Sequence, residues 1–250
     1  MEYNRPALLS IAGVDPSGGA GVLADVKTFE QHSCLGFAAV TALTVQTEKL
    51  FYKTVWQPLE MIIAQVEPLL NTYTIEVIKI GIVESLDVLL ALIEWIKSKD
   101  SNIKIIWDPV LAASAGSRFI SSIDKNVLTD ILQHLFLITP NCIEACQLTG
   151  GDDANQSALT LAAHCNVYLK GGHSVQQKGV DFLYKGDKIL PYLPSDINLP
   201  QKHGSGCILS SAIAAHIALG NPLEQACRLA KNYIEKLLKS NTNLLAYHVQ

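Results

Sequence analysis

Lys202–Gly220 reads KHGSGCILSSAIAAHIALG, and its two halves ask for different structures. His203-Gly204-Ser205-Gly206-Cys207 is a loop of small residues, whereas Ile208 to Leu219 is apolar and small almost throughout, which suits a helix buried on most of its surface. The loop therefore runs into a helix N-terminus, where backbone N–H groups lack intrahelical partners and the macrodipole adds partial positive charge. Gly204 and Gly206 carry no Cβ, so an anion can approach the backbone closely, as a phosphate site requires. Cys207 falls in the first turn, where the same field favours a thiolate. A glycine-rich helix start with an inert buried cysteine would look the same, because short glycine motifs are weak signals. The rest of the chain has to decide between the two.

Working outward, short apolar runs alternate with helical patterns. Val167–Lys170 (VYLK) reads as a strand ending in Gly171-Gly172-His173. Leu135–Thr139 (LFLIT) is another, ending in Pro140-Asn141; the helix over Cys142–Leu148 then sets Asn141 and Glu144 on one face, three apart. Ile103–Trp107 (IKIIW) ends in Asp108-Pro109, where proline stops the ladder and leaves Asp108 at the strand's carboxyl end. Ser85 caps a helix over Leu86–Lys97, behind the strand Val77–Gly81. Pro58–Leu70 is a helix with proline near its start. Leu35–Leu43 is a strand leading into Thr44-Val45-Gln46-Thr47, and Gln46 by itself is a loop amide. Ala7–Ala12 is a buried strand ended by Gly13. The glycine-rich loop Val14–Gly21 follows, and it lacks the Gly-Lys-Ser/Thr of a P-loop. A helix spans Gly21–Gln31 with Asp25 in an early turn, where a solvated carboxylate would also suit the dipole. Downstream, Asp181–Tyr184 and Lys188–Leu193 flank a Gly186-Asp187 turn as an edge hairpin that either moves as a flap or extends the sheet. Pro222–Ser240 is an amphipathic helix.

This order argues for a mostly parallel sheet covered on both faces. Such sheets bind ligands beyond the carboxyl ends of their strands. The unusual residues all fall there: Gly18-Gly19, Gln46, Asp108, Asn141 with Glu144, and Lys170-Gly171-Gly172. A shared site explains that clustering better than chance does.

With 250 residues, 49% of them hydrophobic and 17% charged, the chain can build one large core, and residues 1–250 read as a single domain. A net charge of −4 without a Lys/Arg cluster gives no reason to expect nucleic acid. The stretch MEYNRPALLSIAG lacks the features of a signal peptide, and no apolar run is long enough for a membrane span. The six cysteines show neither a CxxC pair nor zinc-like spacing, so they read as reduced thiols in a cytoplasmic protein.

Taken together, AGVDPSGGAGVLADVKTF (12–29), VTALTVQT (40–47), KIGI (79–82), DPV (108–110), TPNCIEA (139–145), LKGGH (169–173) and HGSGC (203–207) make the chain resemble the hydroxymethylpyrimidine and phosphomethylpyrimidine kinases of thiamin synthesis. The resemblance runs over nearly the whole length. It implies a ribokinase-like three-layer αβα sandwich, with a mostly parallel central sheet, helices on both faces and a small edge hairpin. It also implies ATP-dependent phosphorylation of 4-amino-5-hydroxymethyl-2-methylpyrimidine and of its monophosphate. Carried over residue by residue, it puts Gly13, Asp25, Gln46, Ile82 and Val110 around the pyrimidine, with Gln46 reading the ring's nitrogen edge. Asn141, Lys170, Gly172 and Ser205 would meet ATP, and Asp108 and Glu144 would serve Mg2+. Gly204, Ser205 and Gly206 would form the anion hole for the phosphate in transit. Cys207 would stand where ribokinases place an aspartate, as the base that activates the hydroxyl. A homodimer is expected as well.

The chain departs from the family in three places. Ser205 and Ile208 stand where threonine is usual, and Ala112-Ala113-Ser114-Ala115-Gly116 lacks the lysine common after DPV. Two other readings stay open on the sequence. One is a pyridoxal or pyridoxine kinase, because pyridoxine presents a similar ring and hydroxymethyl group. The other is a nucleotide-binding protein that has lost catalysis, supported by Ile208 and the missing lysine.

Overall fold

The computed structural model describes residues 5–112, 119–120, 122–172 and 178–248. The segment 113–116 and His173, both named above, lie outside the described residues. One nine-stranded sheet organises the chain. Its parallel centre is β2 (Leu35–Gln46), β1 (Ala7–Val14), β4 (Ile75–Ile80), β5 (Lys104–Trp107), β6 (Leu137–Ile138) and β7 (Asn166–Leu169), side by side in that order. β3 (Phe51–Trp56) returns antiparallel beside β2 at one edge, and the hairpin β8 (Asp181–Lys185) and β9 (Lys188–Tyr192) adds antiparallel strands beyond β7 at the other.

Strand side chains alternate between the two faces, and each face buries a different set of helices. Leu8, Val77, Ile106, Leu137 and Tyr168 pack with α1 (Gly21–Gln31), α7 (Ser205–Ala218) and α8 (Leu223–Leu238). Leu9, Ile78, Ile80, Ile105, Trp107 and Ile138 pack with α2 (Leu59–Thr72), α3 (Leu86–Lys99), α4 (Lys125–His134), α5 (Cys142–Thr149) and α6 (Ala154–Ala162). The result is the three-layer arrangement with both sheet faces covered. α7 is the helix read first in the sequence, and its burial is as complete as its composition asks: every residue from Ile208 to Ala215 is buried. Ser85 caps α3 by accepting the Val88 N–H at 3.2 Å.

The sequence reading misses β3. Phe51–Trp56 mixes exposed and half-buried residues at a sheet edge without regular alternation, so it offers no continuous apolar run. It also ends two strands early. β1 continues through Gly13 to Val14 across a shift in register against β2, and β2 continues to Gln46, which pairs with Phe51. Gln46 is thus a strand residue and not a loop amide. α4 and α6 are short helices that the sequence reading does not delimit.

The ladder carries on past the strand ends toward one edge of the sheet. The Gly81 N–H donates to Ile11 O, Asp108 N–H to Ile80 O, Thr139 N–H to Trp107 O and Lys170 N–H to Pro140 O, at 2.9, 2.9, 3.0 and 2.8 Å. These bonds set Asp108, Thr139, Asn141 and Lys170 in a row at the carboxyl ends, with Asn141 and Lys170 bridged in parallel.

Candidate active site

The two glycine loops pack backbone to backbone. Gly204 caps α7 in the left-handed region, at φ 74°, and a Cβ there would lie 2.0 Å from the Gly19 carbonyl oxygen. Glycine at 204 therefore serves loop packing as well as anion approach. Asp15 and His203 tie the same loops together, with Oδ2 and Nε2 2.8 Å apart. Asp15 also accepts from Ser17 N–H, Ser17 Oγ and Ala20 N–H. Burial pushes the Asp15 carboxyl up, but the bonds from His203 and Ser17 outweigh it and leave its pKa lowered. From the other side, Lys202 donates to Asn241 and Asn243, and His203 N–H donates to Leu244 O. The first helical bond of α7 is Ile208 N–H to Gly204 O, 3.0 Å. Ser205, Gly206 and Cys207 are left with N–H groups that have no intrahelical partner. Lys170 Nζ lies 3.2 Å from where a Gly206 Cβ would stand, so an ammonium and a helix N-terminus converge on one spot.

Lys170 bridges two carboxylates. Its Nζ is 2.7 Å from Asp108 Oδ1 and 3.6 Å from Glu144 Oε2. Asp108 is fully buried; Thr139 Oγ1 also donates to Oδ1 and Ser210 Oγ to Oδ2. Burial raises the Asp108 carboxyl, yet Lys170 and Lys79 outweigh burial and keep its pKa below the usual range. At Glu144 the balance reverses. Burial pushes its carboxyl up to about 7 against the pull of Lys170, and Asp108 adds to the rise. Asn141 and Glu144 do more than share a face: they form a capping box. Asn141 Oδ1 accepts Glu144 N–H at 2.9 Å and Glu144 Oε2 accepts Asn141 N–H at 2.7 Å. That box fixes Glu144 toward Lys170.

Asp25 is 0% exposed, so it is not the solvated helix carboxylate that its early-turn position allows. Lys79 Nζ donates to its Oδ2 at 2.8 Å, Ser10 Oγ donates to the same oxygen at 2.5 Å, and Ser211 Oγ donates to Oδ1 at 2.7 Å. The helix field also fails to win at Cys207. Burial pushes its thiol up to about 12; Lys79 pulls the other way, but Asp108 and Asp25 add to the rise. The resting side chain is the neutral thiol, where the helix end alone favours a thiolate. Ile208 is 1% exposed and packed in the α1–α7–α8 core, so its side chain is not part of the cleft surface. Its missing hydroxyl is therefore no sign of lost catalysis.

The remaining candidates separate into two groups. Gly13 and Ile82 touch: a Cβ on Gly13 would come 2.4 Å from Ile82 Cδ1, and Thr41 Oγ1 holds the Ile82 carbonyl at 2.7 Å. Gln46 Nε2 donates to Thr44 Oγ1 at 2.9 Å, which in turn donates to Val14 O at 2.7 Å, so its amide is tethered to the first loop. Val110 is half-buried, its N–H turned back to Asp108 O at 2.8 Å. Apart from its chain neighbours, no described residue comes within 4 Å of where a Gly172 Cβ would stand, and Ser205 starts α7 with a half-buried side chain. Lys79, Ser210, Ser211 and the Asp15–His203 pair are not singled out by sequence reasoning. One signal was available: Lys79 interrupts the otherwise apolar VIKIG, and a lysine in the centre of a parallel sheet needs a buried acid.

Among the described residues no group of three or more His, Cys, Asp or Glu side chains could hold a metal unaided. Mg2+ commonly takes one or two carboxylates and completes its shell with phosphate oxygens and water. Glu144 fits that habit, because its Oε1 takes no bond from the described residues. Asp108 has both oxygens engaged by Lys170, Thr139 and Ser210, so it would reach the ion through a water or by giving up one of them.

Residues 15–250 match the family described as phosphomethylpyrimidine kinase. A hydroxymethylpyrimidine/phosphomethylpyrimidine kinase of Aquifex aeolicus is 32% identical over 245 residues, covering 94% of this chain and 95% of the relative. Among solved structures, a phosphomethylpyrimidine kinase of Clostridium difficile aligns with a TM-score of 0.78 at 30% identity, covering 93% of this chain and 99% of its own. A Bacillus subtilis pyridoxal kinase in an ADP complex aligns with a TM-score of 0.79 at 27% identity, covering 92% of this chain and 90% of its own.

Proposed function

Because the chain belongs to the phosphomethylpyrimidine kinase family, we propose that it transfers the γ-phosphate of ATP to the hydroxymethyl group of 4-amino-5-hydroxymethyl-2-methylpyrimidine, and a second phosphate to the resulting monophosphate. The observation that carries the reading is the convergence of Lys170, the Gly204–Gly206 loop and Cys207 at one helix end, beside the Gly13–Ile82 contact and the tethered Gln46. A phosphoryl group in flight spreads charge over its equatorial oxygens, so positioning and electrostatic stabilisation do most of the catalysis. In this reading the N–H groups of Ser205 and Gly206 and the Lys170 ammonium receive that charge. Asn141 and Gly172 hold the nucleotide; Glu144 and Asp108 would hold Mg2+, which would supply charge neutralisation at the phosphates. Gln46, Gly13, Ile82 and Val110 hold the pyrimidine, and Asp25 acts through Lys79. Cys207, in its thiolate form, takes the hydroxyl proton as the new P–O bond forms and the bond to ADP breaks.

The single kinase domain, the cytoplasmic setting and the homodimer belong to the same proposal. Among the described residues no helix is long and apolar enough to cross a membrane. Leu43 and Val55 pair across β2 and β3, and with Val45 they leave an exposed apolar edge that a second copy could cover; sedimentation at two concentrations tests the dimer.

The pyridoxal kinase likeness favours one rival, since its identity to this chain is nearly that of the pyrimidine kinase structure. ADP release measured across hydroxymethylpyrimidine, its monophosphate, pyridoxal, pyridoxine and ribose separates the readings. Hydroxymethylpyrimidine should give the highest kcat/KM. A lead of more than about tenfold for pyridoxal or ribose, the span one well-made pocket contact supplies, would overturn the assignment.

A further inference from the structure

We propose that Lys231 and Asp181 are positioning residues for the nucleotide: through their ion pair, α8 sets the loop at Gly171-Gly172 and with it Lys170. The inference rests on the reading that this loop meets ATP.

Asp181 opens β8 at the carboxyl end of β7, where Leu169 pairs with Phe182. Its Oδ1 accepts the Gly171 N–H at 2.7 Å, and its Oδ2 accepts from Tyr168 OH at 2.9 Å and Lys231 Nζ at 2.8 Å. Lys231 also donates to Gly179 O at 2.5 Å and stands 3.7 Å from Glu235 Oε1, one helical turn on. Glu235 Oε2 accepts the Ser195 N–H at 3.0 Å. The two α8 side chains therefore grip the hairpin where it enters and where it leaves, and the hairpin extends the sheet. Gly171 is held at both its backbone groups: its carbonyl accepts the Gly179 N–H at 3.0 Å. It must be glycine, because a Cβ would come 1.7 Å from Val180 O.

Gly171 sits between Lys170, whose ammonium bridges Asp108 and Glu144, and Gly172, which apart from its chain neighbours has no described residue within 4 Å of its Cβ position. Moving its backbone moves both. Asp181 and Lys231 are more than nine-tenths buried. A buried ion pair contributes little net stability compared with apolar packing of the same volume. What this one does supply is a fixed orientation for one peptide unit, and misplacement by about 1 Å at a reacting group can cost ~10²-fold in rate.

The test is steady-state ADP release by wild type, Lys231→Met, Lys231→Arg and Asp181→Asn, with KM measured separately for ATP and for hydroxymethylpyrimidine and a thermal melt of each protein. Lys231→Met should raise the KM for ATP ~10–100-fold and leave that for the pyrimidine within about twofold, and Lys231→Arg should recover most of the loss. A folded Lys231→Met protein with both KM values unchanged, or both raised alike, overturns the inference. Should that variant fail to fold, Asp181→Asn decides: its amide still accepts from Gly171 but loses the ammonium's pull. A KM for ATP raised at least ~3-fold supports the clamp, and an unchanged one ends it. Titrating wild type with ADP reports on the nucleotide reading separately. If ADP does not bind, that reading fails and takes this inference with it. If ADP binds wild type and variants equally, only the inference fails.

Discussion

Two lysine–carboxylate clusters lie near the carboxyl ends of the strands, and they are built to opposite specifications. Lys79 and Asp25 are both 0% exposed, and Ser10 and Ser211 take up the rest of Asp25's capacity. Lys170 keeps 12% and Glu144 11% of the side chain open, and Glu144 has an oxygen to spare. Burial works against the Lys79 ammonium, but Asp25, Cys207 and Asp108 more than offset it, so its pKa is raised. Lys170 is raised in the same way, chiefly by Asp108 and Glu144 against burial. Both ammoniums stay charged; what differs is unused bonding capacity. A closed cluster can only hold its neighbours in place, whereas an open one can exchange its partners for a phosphate and a metal. Cys207 lies between the two and feels both.

The largest expected effect is therefore at Cys207. Cys207→Ala should fold and bind ATP yet lose ~10²–10⁴-fold in kcat, the usual worth of a general base. The sign of the pH dependence follows from the raised thiol. A base works deprotonated, so with a pKa near 12 in the free enzyme, kcat/KM at saturating Mg2+ should climb about tenfold per unit across roughly pH 6–10 with no plateau. A plateau near pH 7 would mean that the helix field lowers the thiol after all. An Ala variant keeping more than about a third of wild-type kcat would remove the base from the mechanism.

Next come the two lysines themselves. Lys79→Met strands a fully buried carboxylate, at a cost of about 3–5 kcal/mol in stability, and Asp25→Asn in the same chain should return most of it. Lys170→Met should melt closer to wild type, because its carboxylates keep other partners, but lose ~10²-fold or more in kcat through the transition-state charge left unmatched. Urea melts and kinetics on both variants check the contrast. If the two lose stability and activity in the same proportion, the closed and open clusters do not differ in kind.

Much of this was legible in the chain. Strand–helix alternation and the carboxyl-end clustering of Asp108, Asn141 and Lys170 give the layers and the side of the sheet that carries the site, because periodicity and proline stops are local signals. The edge strand β3 escaped, because edge residues alternate weakly and β-pairing is a long-range fact. Cys207's protonation escaped for a related reason. A helix terminus is visible in sequence, but the burial and the two aspartates that outweigh it come from Asp25 and Asp108, distant in the chain. Glycine at 204 was legible as an anion-loop residue and illegible as the packing partner of Gly19. Asn141 and Glu144 were legible as neighbours on one helix face; their capping box was not drawn from the sequence, although Asn-x-x-Glu carries that signature.

The smallest effect is at Glu144, and it sharpens what an open cluster means. Its carboxyl is raised to about 7 by burial, despite Lys170, so the folded protein holds a proton that the unfolded chain releases near its ordinary value of about 4.5. The folded state binds more protons in that window, and stability falls as pH rises from about 4.5 to 7. Glu144→Gln has no such group, so its melting temperature relative to wild type should climb across the same window and level off above it. Ligand binding should run the opposite way. A metal needs the carboxylate, so the Mg2+ concentration for half-maximal rate should fall as wild type passes from pH 6 to pH 8. In Glu144→Gln it should be higher and flat with pH. A wild-type Mg2+ requirement that ignores pH, or one that Gln leaves unmoved, would take Glu144 out of the metal's reach and reduce the capping box to a helix start.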